Sequence, residues 1–180
     1  MKKLQIIPVL VLVSLFLSCN EAEEHSGMSA AAQKNLAAFE GVGKSFETKD
    51  FSKLGDYIAE DAVDHAGPQG DIKGLANIKS MFEEWSKQTE NEKNETKVVL
   101  ANDDYVMGWM QFSGKAKVDM PDMGQKAGDT YDMQAIEVAK FKDGKMTEHW
   151  TFMNPADMMK MMGGAQGQMP MPMDTTKAMQ

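Results

Sequence analysis

Apolar side chains recur at every third or fourth position through the first half of the folded region, a spacing typical of amphipathic helices. Ser29 is placed to cap a first helix predicted over residues 30–48, and a short second helix is expected near 51–58. A third helix is predicted from four apolar positions at helical spacing: Ile78, Met81, Phe82 and Trp85. The folded region therefore begins with a helical layer.

From residue 96 onward the pattern predicts strands, and the polar stretch 89–95 before them is interpreted as a solvent-exposed break. Asp143 and Gly144 predict a tight hairpin turn, because glycine adopts positive φ at little cost. Helices followed by an antiparallel sheet predict the α+β class, with one sheet face under the helices and the other open to solvent or a partner subunit. The predicted strands are 62–66, 96–102, 105–118, 130–142 and 145–153.

The register of the last hairpin decides which side chains share a face. If no bulge interrupts it, the Asp-Gly turn pairs Phe141 with Met146 and Val138 with His149. The face of His149 is then a pocket wall, which also carries Gln134, Ile136, Val138 and Thr151. The opposite face, suited to packing or a dimer contact, carries Phe141, Met146, Trp150, Phe152, Glu137 and Glu148. A single bulge would reverse this assignment.

Two histidines of the folded region directly follow an acidic residue, in Asp64-His65 and in Glu148-His149. Imidazole titrates near neutral pH, and a carboxylate can orient it or hold its proton, so these pairs are candidates for acid/base chemistry. The alternative is ordinary polar side chains on strand edges, because adjacent strand residues point to opposite faces. If Asp64 and His149 share an apolar pocket, we expect His149 to titrate near neutral pH.

The charge of the chain limits its partners. The 180 residues carry a formal net charge of -8 and include no arginine. Nucleic-acid and phosphate recognition rely on arginine forks and basic patches, so no nucleic-acid partner is expected. The sequence contains no glycine-rich phosphate loop, no C-x-x-C and no H-E-x-x-H motif, and it therefore predicts neither a cofactor nor a metal for the folded region.

The N terminus has the features of a secretory signal, with two lysines ahead of an uncharged run too short for a comfortable transmembrane helix. The run ends at Cys19, the only cysteine, in a pattern that resembles a bacterial lipoprotein signal. Residues 1–18 are then removed, Cys19 becomes the lipid anchor, and 19–29 form a flexible acidic tether. The expected location is the bacterial cell envelope, membrane-anchored and facing the periplasm or the cell surface. The alternative is an ordinary signal followed by a free thiol.

Four segments of the folded region together resemble the SnoaL-like polyketide cyclase family: 59–65, 73–74, 143–150 and 158–163. The resemblance implies the cone-shaped α+β fold of nuclear transport factor 2, also called cystatin-like, with a curved antiparallel sheet packed on N-terminal helices. It also implies a deep apolar pocket for a small molecule, and a homodimer. We expect one such domain over residues 30–163.

The resemblance also implies the site. In the cyclases an acid on the last strand acts as general acid/base on a polycyclic ester, helped by polar residues on the first strand. Asp64 falls at a first-strand polar position, but the last-strand acid aligns with Thr151, which cannot serve as a carboxylate base. His149, two residues earlier, is the predicted substitute, so the catalytic candidates are Asp64 and His149. The ligand-binding candidates are His65, Tyr57, Phe82, Trp85, Trp109, Ile136, Val138 and Thr151; the large apolar ones among them equally fit a plain core.

Methionine is concentrated at the C-terminal end. Asn154 is expected to cap a short helix that Pro155 starts, and 164–180 are expected to be a disordered tail. We expect a membrane-anchored domain that binds a small apolar molecule, with isomerase, cyclase or hydrolase activity of the acid/base type. The alternative is a non-catalytic envelope protein for ligand binding or assembly. Soft-metal binding, with copper held by the thioethers of the tail, is a fainter third option.

Overall fold

A computed structural model describes residues 27–67, 70–121 and 124–161. Within these ranges a single sheet has the strand order β2-β1-β6-β5-β4-β3, and helices pack on one of its faces. Cys19 and the methionine-rich tail lie outside the described residues. In the part of the chain that is described, no helix has the length and apolar character needed to cross a membrane. The elements are α1 (Ala30–Thr48), α2 (Leu54–Tyr57), β1 (Ile58–Asp64), β2 (Ile72–Lys73), α3 (Leu75–Gln88), β3 (Thr89–Ala101), β4 (Tyr105–Ala116), β5 (Thr130–Lys142), β6 (Lys145–Met153) and α4 (Pro155–Met161).

Helix α1 matches its predicted bounds, and its cap is the predicted one. The Ser29 hydroxyl accepts a hydrogen bond from the backbone N–H of Ala32 at 3.0 Å. Two successive residues of α1 hold the turns of two hairpins. Lys34 donates to the carbonyl of Asp143 at 2.7 Å in the β5–β6 turn, and buried Asn35 donates to two carbonyls of the β3–β4 turn, at 2.9 and 3.1 Å. The helix is thereby fixed against the ends of both hairpins.

Strands β3 to β6 form an antiparallel meander, whereas β1 joins β6 in parallel. The predicted α+β class, with helices on a curved sheet, is confirmed, and the sheet is antiparallel except at this pair. The stretch 89–95 is also not a break, because it forms the first half of β3 and pairs with β4 from Thr89 opposite Ala116. One face of this strand is open to water, which allows a polar sequence to be a strand.

A β-bulge sits in the last hairpin. The turn residues Asp143 and Gly144 have φ of 55° and 77°, and Phe141 pairs with Met146 as predicted. Thr147 is then the extra residue, since the next pair is Lys140 with Glu148. The Thr147 hydroxyl donates to the Lys140 carbonyl at 3.2 Å. Every later pair is shifted by one position from the prediction.

The shift decides what each sheet face carries. The helix face, which packs on α1 and α3, contains the buried side chains Val106, Ala139, Phe141 and Met146. Met146, predicted for a dimer contact, is therefore a core residue. The opposite or outer face is rich in exposed apolar side chains: Val98, Leu100, Tyr105, Met107, Trp109 and Phe152.

Candidate functional site

Three side chains from adjacent strands converge on the helix face. His149 on β6 lies between Asp64 on β1 and Glu137 on β5. Its Nδ1 is 3.2 Å from Asp64 Oδ1, and its Nε2 is 2.6 Å from Glu137 Oε2. The Thr151 hydroxyl donates to the same Glu137 oxygen at 2.8 Å. These four residues, Asp64, His149, Glu137 and Thr151, are called the inner cluster.

Strand register creates the inner cluster. The parallel pairing sets Asp64 directly opposite His149, and the antiparallel pairing sets Glu137 opposite Thr151. Glu137 also faces Gly108 on β4. A Cβ on Gly108 would come within 3.2 Å of Phe39 of α1, so glycine allows the helix to approach the sheet beside the carboxylate.

The inner cluster is largely buried and carries charge. The side chains of Asp64, Glu137 and His149 are 5%, 11% and 21% exposed. Burial lowers the pKa of His149, but hydrogen bonds and charges from Asp64 and Glu137 outweigh it and raise this pKa to about 10. Burial likewise raises the pKa of Asp64, yet the hydrogen bond and charge of His149 lower it overall. The expectation that His149 titrates near neutral pH is wrong, because two carboxylates rather than one hold its proton.

Both carboxylates use only one oxygen inside the inner cluster. Asp64 Oδ1 accepts from His149 and from the Ala66 backbone N–H, at 3.2 and 2.8 Å. Glu137 Oε2 accepts from His149 and Thr151. Among the described residues, Asp64 Oδ2 and Glu137 Oε1 have no hydrogen-bond partner, so one oxygen on each side of the imidazole is left for a substrate or a water molecule.

His65 lies on the outer face, away from the inner cluster. Its ring stacks on Trp150, with centroids 4.8 Å apart and planes at 15°. Its Nδ1 is 2.9 Å from Asp71 and its Nε2 is 3.4 Å from Glu148, which Lys140 also contacts at 2.7 Å. The hydrogen bond to Asp71 raises the pKa of His65. Asp71, His65, Glu148 and Lys140 form what is called the outer cluster.

Three predicted ligand contacts point away from the inner cluster. Ile136 and Val138 lie on the outer face, because the bulge pairs them with Phe152 and Trp150 instead of with Thr151 and His149. Trp109, opposite Ile136, is 43% exposed there and donates to Gln134 at 3.2 Å. Strand alternation excludes all three from a pocket that contains His149.

Three other ligand-binding candidates lie among the helices. Phe82 is buried and packs on Phe46, with ring centroids 4.4 Å apart. Tyr57 lies at the end of α2 with its ring against Gly41, where a Cβ would come within 2.5 Å of it. Trp85 donates to the buried carboxylate of Glu92 at 2.7 Å. Their roles as ligand contacts stay predictions.

The Glu92 carboxylate is the centre of a second buried polar group. Its Oε1 also accepts from the Thr89 hydroxyl at 2.8 Å and lies 3.4 Å from the Tyr131 hydroxyl. Burial and the Glu92 charge raise the pKa of Tyr131. Lys49 contacts Glu92 at 3.8 Å, so this group ties the ends of α1 and α3 to the start of β3.

Glu137 is the residue that the sequence reasoning assigned to the wrong face. A signal for its true position exists along β5. Glu137 stands in a row of alternate positions that are otherwise apolar, between Ala135 and Ala139 and ahead of Phe141. A carboxylate within an apolar alternating row is either paired or functional.

Within the described ranges, no group of three or more His, Cys, Asp or Glu side chains has an arrangement that could hold a metal ion. The inner cluster consists of a protonated imidazole between two carboxylates, residue types that serve in acid/base chemistry.

Several solved structures have the same fold. A SnoaL-like polyketide cyclase from Agrobacterium tumefaciens matches with a TM-score of 0.59 and 13% identity, over 70% of this chain and 95% of that chain. TsrD from Streptomyces laurentii matches with a TM-score of 0.61 and 18% identity, over 74% and 96%. An LEH-like epoxide hydrolase from Mycobacterium tuberculosis matches with a TM-score of 0.59 and 13% identity, over 74% and 88%.

No curated protein matches the chain significantly. The sequence does match the SnoaL-like polyketide cyclases over residues 37–162, which is most of the described region. Helices on one face of a curved six-stranded sheet are the architecture that the structural neighbours share. The chain belongs to the SnoaL-like polyketide cyclase family.

Proposed function

We propose that this protein is an acid/base enzyme that acts on a small, largely apolar molecule as an isomerase, cyclase or hydrolase. The observation that carries the proposal is the inner cluster, in which a charged imidazole separates two carboxylates with one unengaged oxygen each. Membership of a family named for cyclases supports it, as does the likeness in fold to an epoxide hydrolase. Such buried pairs with strongly shifted pKa values are concentrated at functional sites.

In the proposed mechanism Glu137 is the general base. Its Oε1 takes a proton from the substrate or from a water molecule, while its Oε2 stays bonded to His149 and Thr151. His149 does not itself meet the substrate, because both of its N–H groups are engaged. The imidazolium holds both carboxylates in place through its two N–H groups, and its hydrogen bond and charge lower the pKa of Asp64. Asp64, whose lowered pKa makes it a weak base, orients the imidazole and offers Oδ2 to the substrate.

Kinetics of a matched pair of variants test this mechanism. Against a panel of small apolar epoxides, ketones and esters, Glu137→Gln should lower kcat/KM by about 100-fold or more, as loss of a general base does. The control is Glu148→Gln, which removes the same charge one residue from His149 but on the outer face, and it should keep near-normal kcat/KM. Full activity in folded Glu137→Gln would contradict the role of Glu137. Binding without turnover across the panel would favour the non-catalytic ligand-binding alternative.

We also propose that Cys19 anchors the protein by lipid in the bacterial envelope. The signal-like segment and the acidic stretch behind the single cysteine support this location. Cys19→Ala should move the protein out of the membrane fraction and leave its melting temperature unchanged, because the described fold begins beyond the tether. Unchanged membrane partitioning of that variant would count against the anchor.

A homodimer through the outer face is the third part of the proposal. Trp109, Met107 and Leu100 lie side by side on adjacent strands and are exposed, and patches of this kind usually mark partner surfaces. Sedimentation should give a dimer for the native chain and a monomer for Trp109→Glu. A native chain that stays monomeric at micromolar concentration would refute this interface.

A further inference from the structure

The hydrogen-bonding groups of the inner cluster are unbalanced. Both N–H groups of His149 are used within the cluster, and so is the hydroxyl proton of Thr151. The two unengaged atoms, Asp64 Oδ2 and Glu137 Oε1, are both acceptors. An ionised carboxylate has no proton to donate, so among its four side chains the cluster offers a ligand acceptors and no free donor.

The net charge of the inner cluster is negative, so it favours the same kind of ligand as the unengaged acceptors do. Two acceptor carboxylates and one imidazolium leave one net negative charge in a largely buried place. The charges of His149 and His65 lower the pKa of Asp64. The Asp64 side chain is more than nine-tenths buried, yet its Oδ2 has no partner among the described residues. Among the described residues, the buried side-chain atoms without a hydrogen-bond partner are Glu92 Oε2 and Gln125 Oε1, so Asp64 Oδ2 keeps some access to solvent and to a ligand. A ligand that replaces water there with a charged donor makes the stronger hydrogen bond.

Building on the proposed function, we propose that the ligand of this site is an apolar molecule that carries a protonated amine, and that the amine donates to Asp64 Oδ2. An ammonium group supplies the hydrogen-bond donor that the cluster lacks, and its positive charge compensates the net negative charge of the cluster. The carbonyl of a simple ester or ketone supplies neither, since it is an acceptor only. Asp64 then holds the amine, and Glu137 Oε1 stays available for proton transfer elsewhere on the same molecule.

Binding of three matched probes to the full folded domain tests the inference. The probes are 1-naphthylmethylamine, 1-naphthalenemethanol and 1-naphthoate, which share one apolar body and differ in charge and donors. Calorimetry at pH 7 should show the amine binding about tenfold tighter than the alcohol, the scale of one charge-assisted hydrogen bond, and the naphthoate weakest. Asp64→Asn should reduce the preference for the amine to less than about threefold, because it removes the charge and keeps the shape.

Glu148→Gln is the matched control, and it should keep the full preference for the amine. If Asp64→Asn fails to fold by near-ultraviolet circular dichroism, Glu137→Gln replaces it, since either variant removes the net charge. Equal binding of amine and alcohol, or tightest binding of naphthoate, would overturn the inference and leave the proposed function standing. Loss of the preference in Glu148→Gln alone would overturn it as well, because the amine would then bind on the outer face. Failure of all three probes to bind would overturn the inference together with the proposed apolar site.

Discussion

The two faces of the sheet carry two similar clusters in opposite surroundings. In each, a histidine stands between two carboxylates: His149 between Asp64 and Glu137 on the helix face, and His65 between Asp71 and Glu148 on the outer face. The acid of each Asp-His or Glu-His dipeptide contacts the histidine of the other dipeptide. Adjacent residues of a strand point apart, so the partner of each histidine comes from the neighbouring strand.

Burial separates the properties of the two clusters. The outer carboxylates are well exposed, and water screens their attraction to His65. The inner carboxylates are largely buried, so water screens their attraction to His149 much less. The same residue types therefore form a solvent-exposed ion pair on the outer face and hold the proton of His149 tightly on the helix face.

The largest expected difference between the two clusters is the loss of stability when one acid is removed from each. Asp64→Ala leaves a buried imidazolium with one partner and should lower the free energy of unfolding by about 3 kcal/mol. Asp71→Ala removes an exposed partner and should cost less than about 1 kcal/mol. Urea denaturation of the two variants measures the contrast. Equal costs would mean that burial does not distinguish the clusters.

The pH dependence of stability should also come from the inner cluster. The pKa of His149 is raised from 6.5 to about 10, so its stabilising contribution is complete below pH 6.5 and is lost as the pH rises toward 10. The pKa of Asp64 is lowered from 3.8, so its contribution is present above that pH and is lost as the pH falls through its folded value.

Between pH 6.5 and 10 the wild-type chain should therefore lose at least about 2 kcal/mol more stability than His149→Gln, as urea denaturation can measure. Nuclear magnetic resonance of the imidazole rings should show His65 releasing its proton at lower pH than His149. Parallel stability curves for the two proteins would refute the assignment of the held proton to His149.

Deletion of Thr147 should have a smaller effect, and it isolates the role of the bulge. The pairs on either side, Phe141 with Met146 and Lys140 with Glu148, can both be kept without it. We expect a cost of about 1 kcal/mol, from the lost Thr147 hydrogen bond, and an intact inner cluster. The resonance of the His149 imidazolium reports the outcome: a ring that titrates like exposed imidazole would mean that the deletion had turned His149 outward.

Lys140→Met should have the smallest effect. Its ion pair with Glu148 is exposed, so the melting temperature should change by no more than about 2 °C by calorimetry. The titration of His149 should not change at all. A shift in that titration would show that the two faces are electrostatically coupled through β6.

Local sequence patterns predicted the bounds of the helices and strands better than they predicted which strands pair. The bounds of α1, β5 and β6 follow from a cap, an alternation and an Asp-Gly turn, all of which act within a few residues. The parallel pairing of β1 with β6 joins segments more than eighty residues apart, and the sequence contains no local signal for it. The convergence of Asp64 and His149 depends on that pairing.

The bulge accounts for the errors in the site. Met146 and His149 are three positions apart, so a regular strand cannot turn both toward the core. The extra residue Thr147 resolves this conflict. A register predicted without the bulge assigns His149 to the face of Val138 and Glu137 to the opposite face. The sequence therefore did not predict Glu137 as the second carboxylate beside His149.

The contacts of α1 with two hairpin turns have a mechanical consequence. Lys34 and Asn35 connect this first helix to both turns at one end of the sheet. In a chain held at its N terminus, a pulling force reaches the fold through α1 and is divided at once between two hairpins. The hydrogen bonds at the two turns then bear the force in parallel. The inner cluster lies farther along β5 and β6, so it is not the first part of the sheet to be stretched.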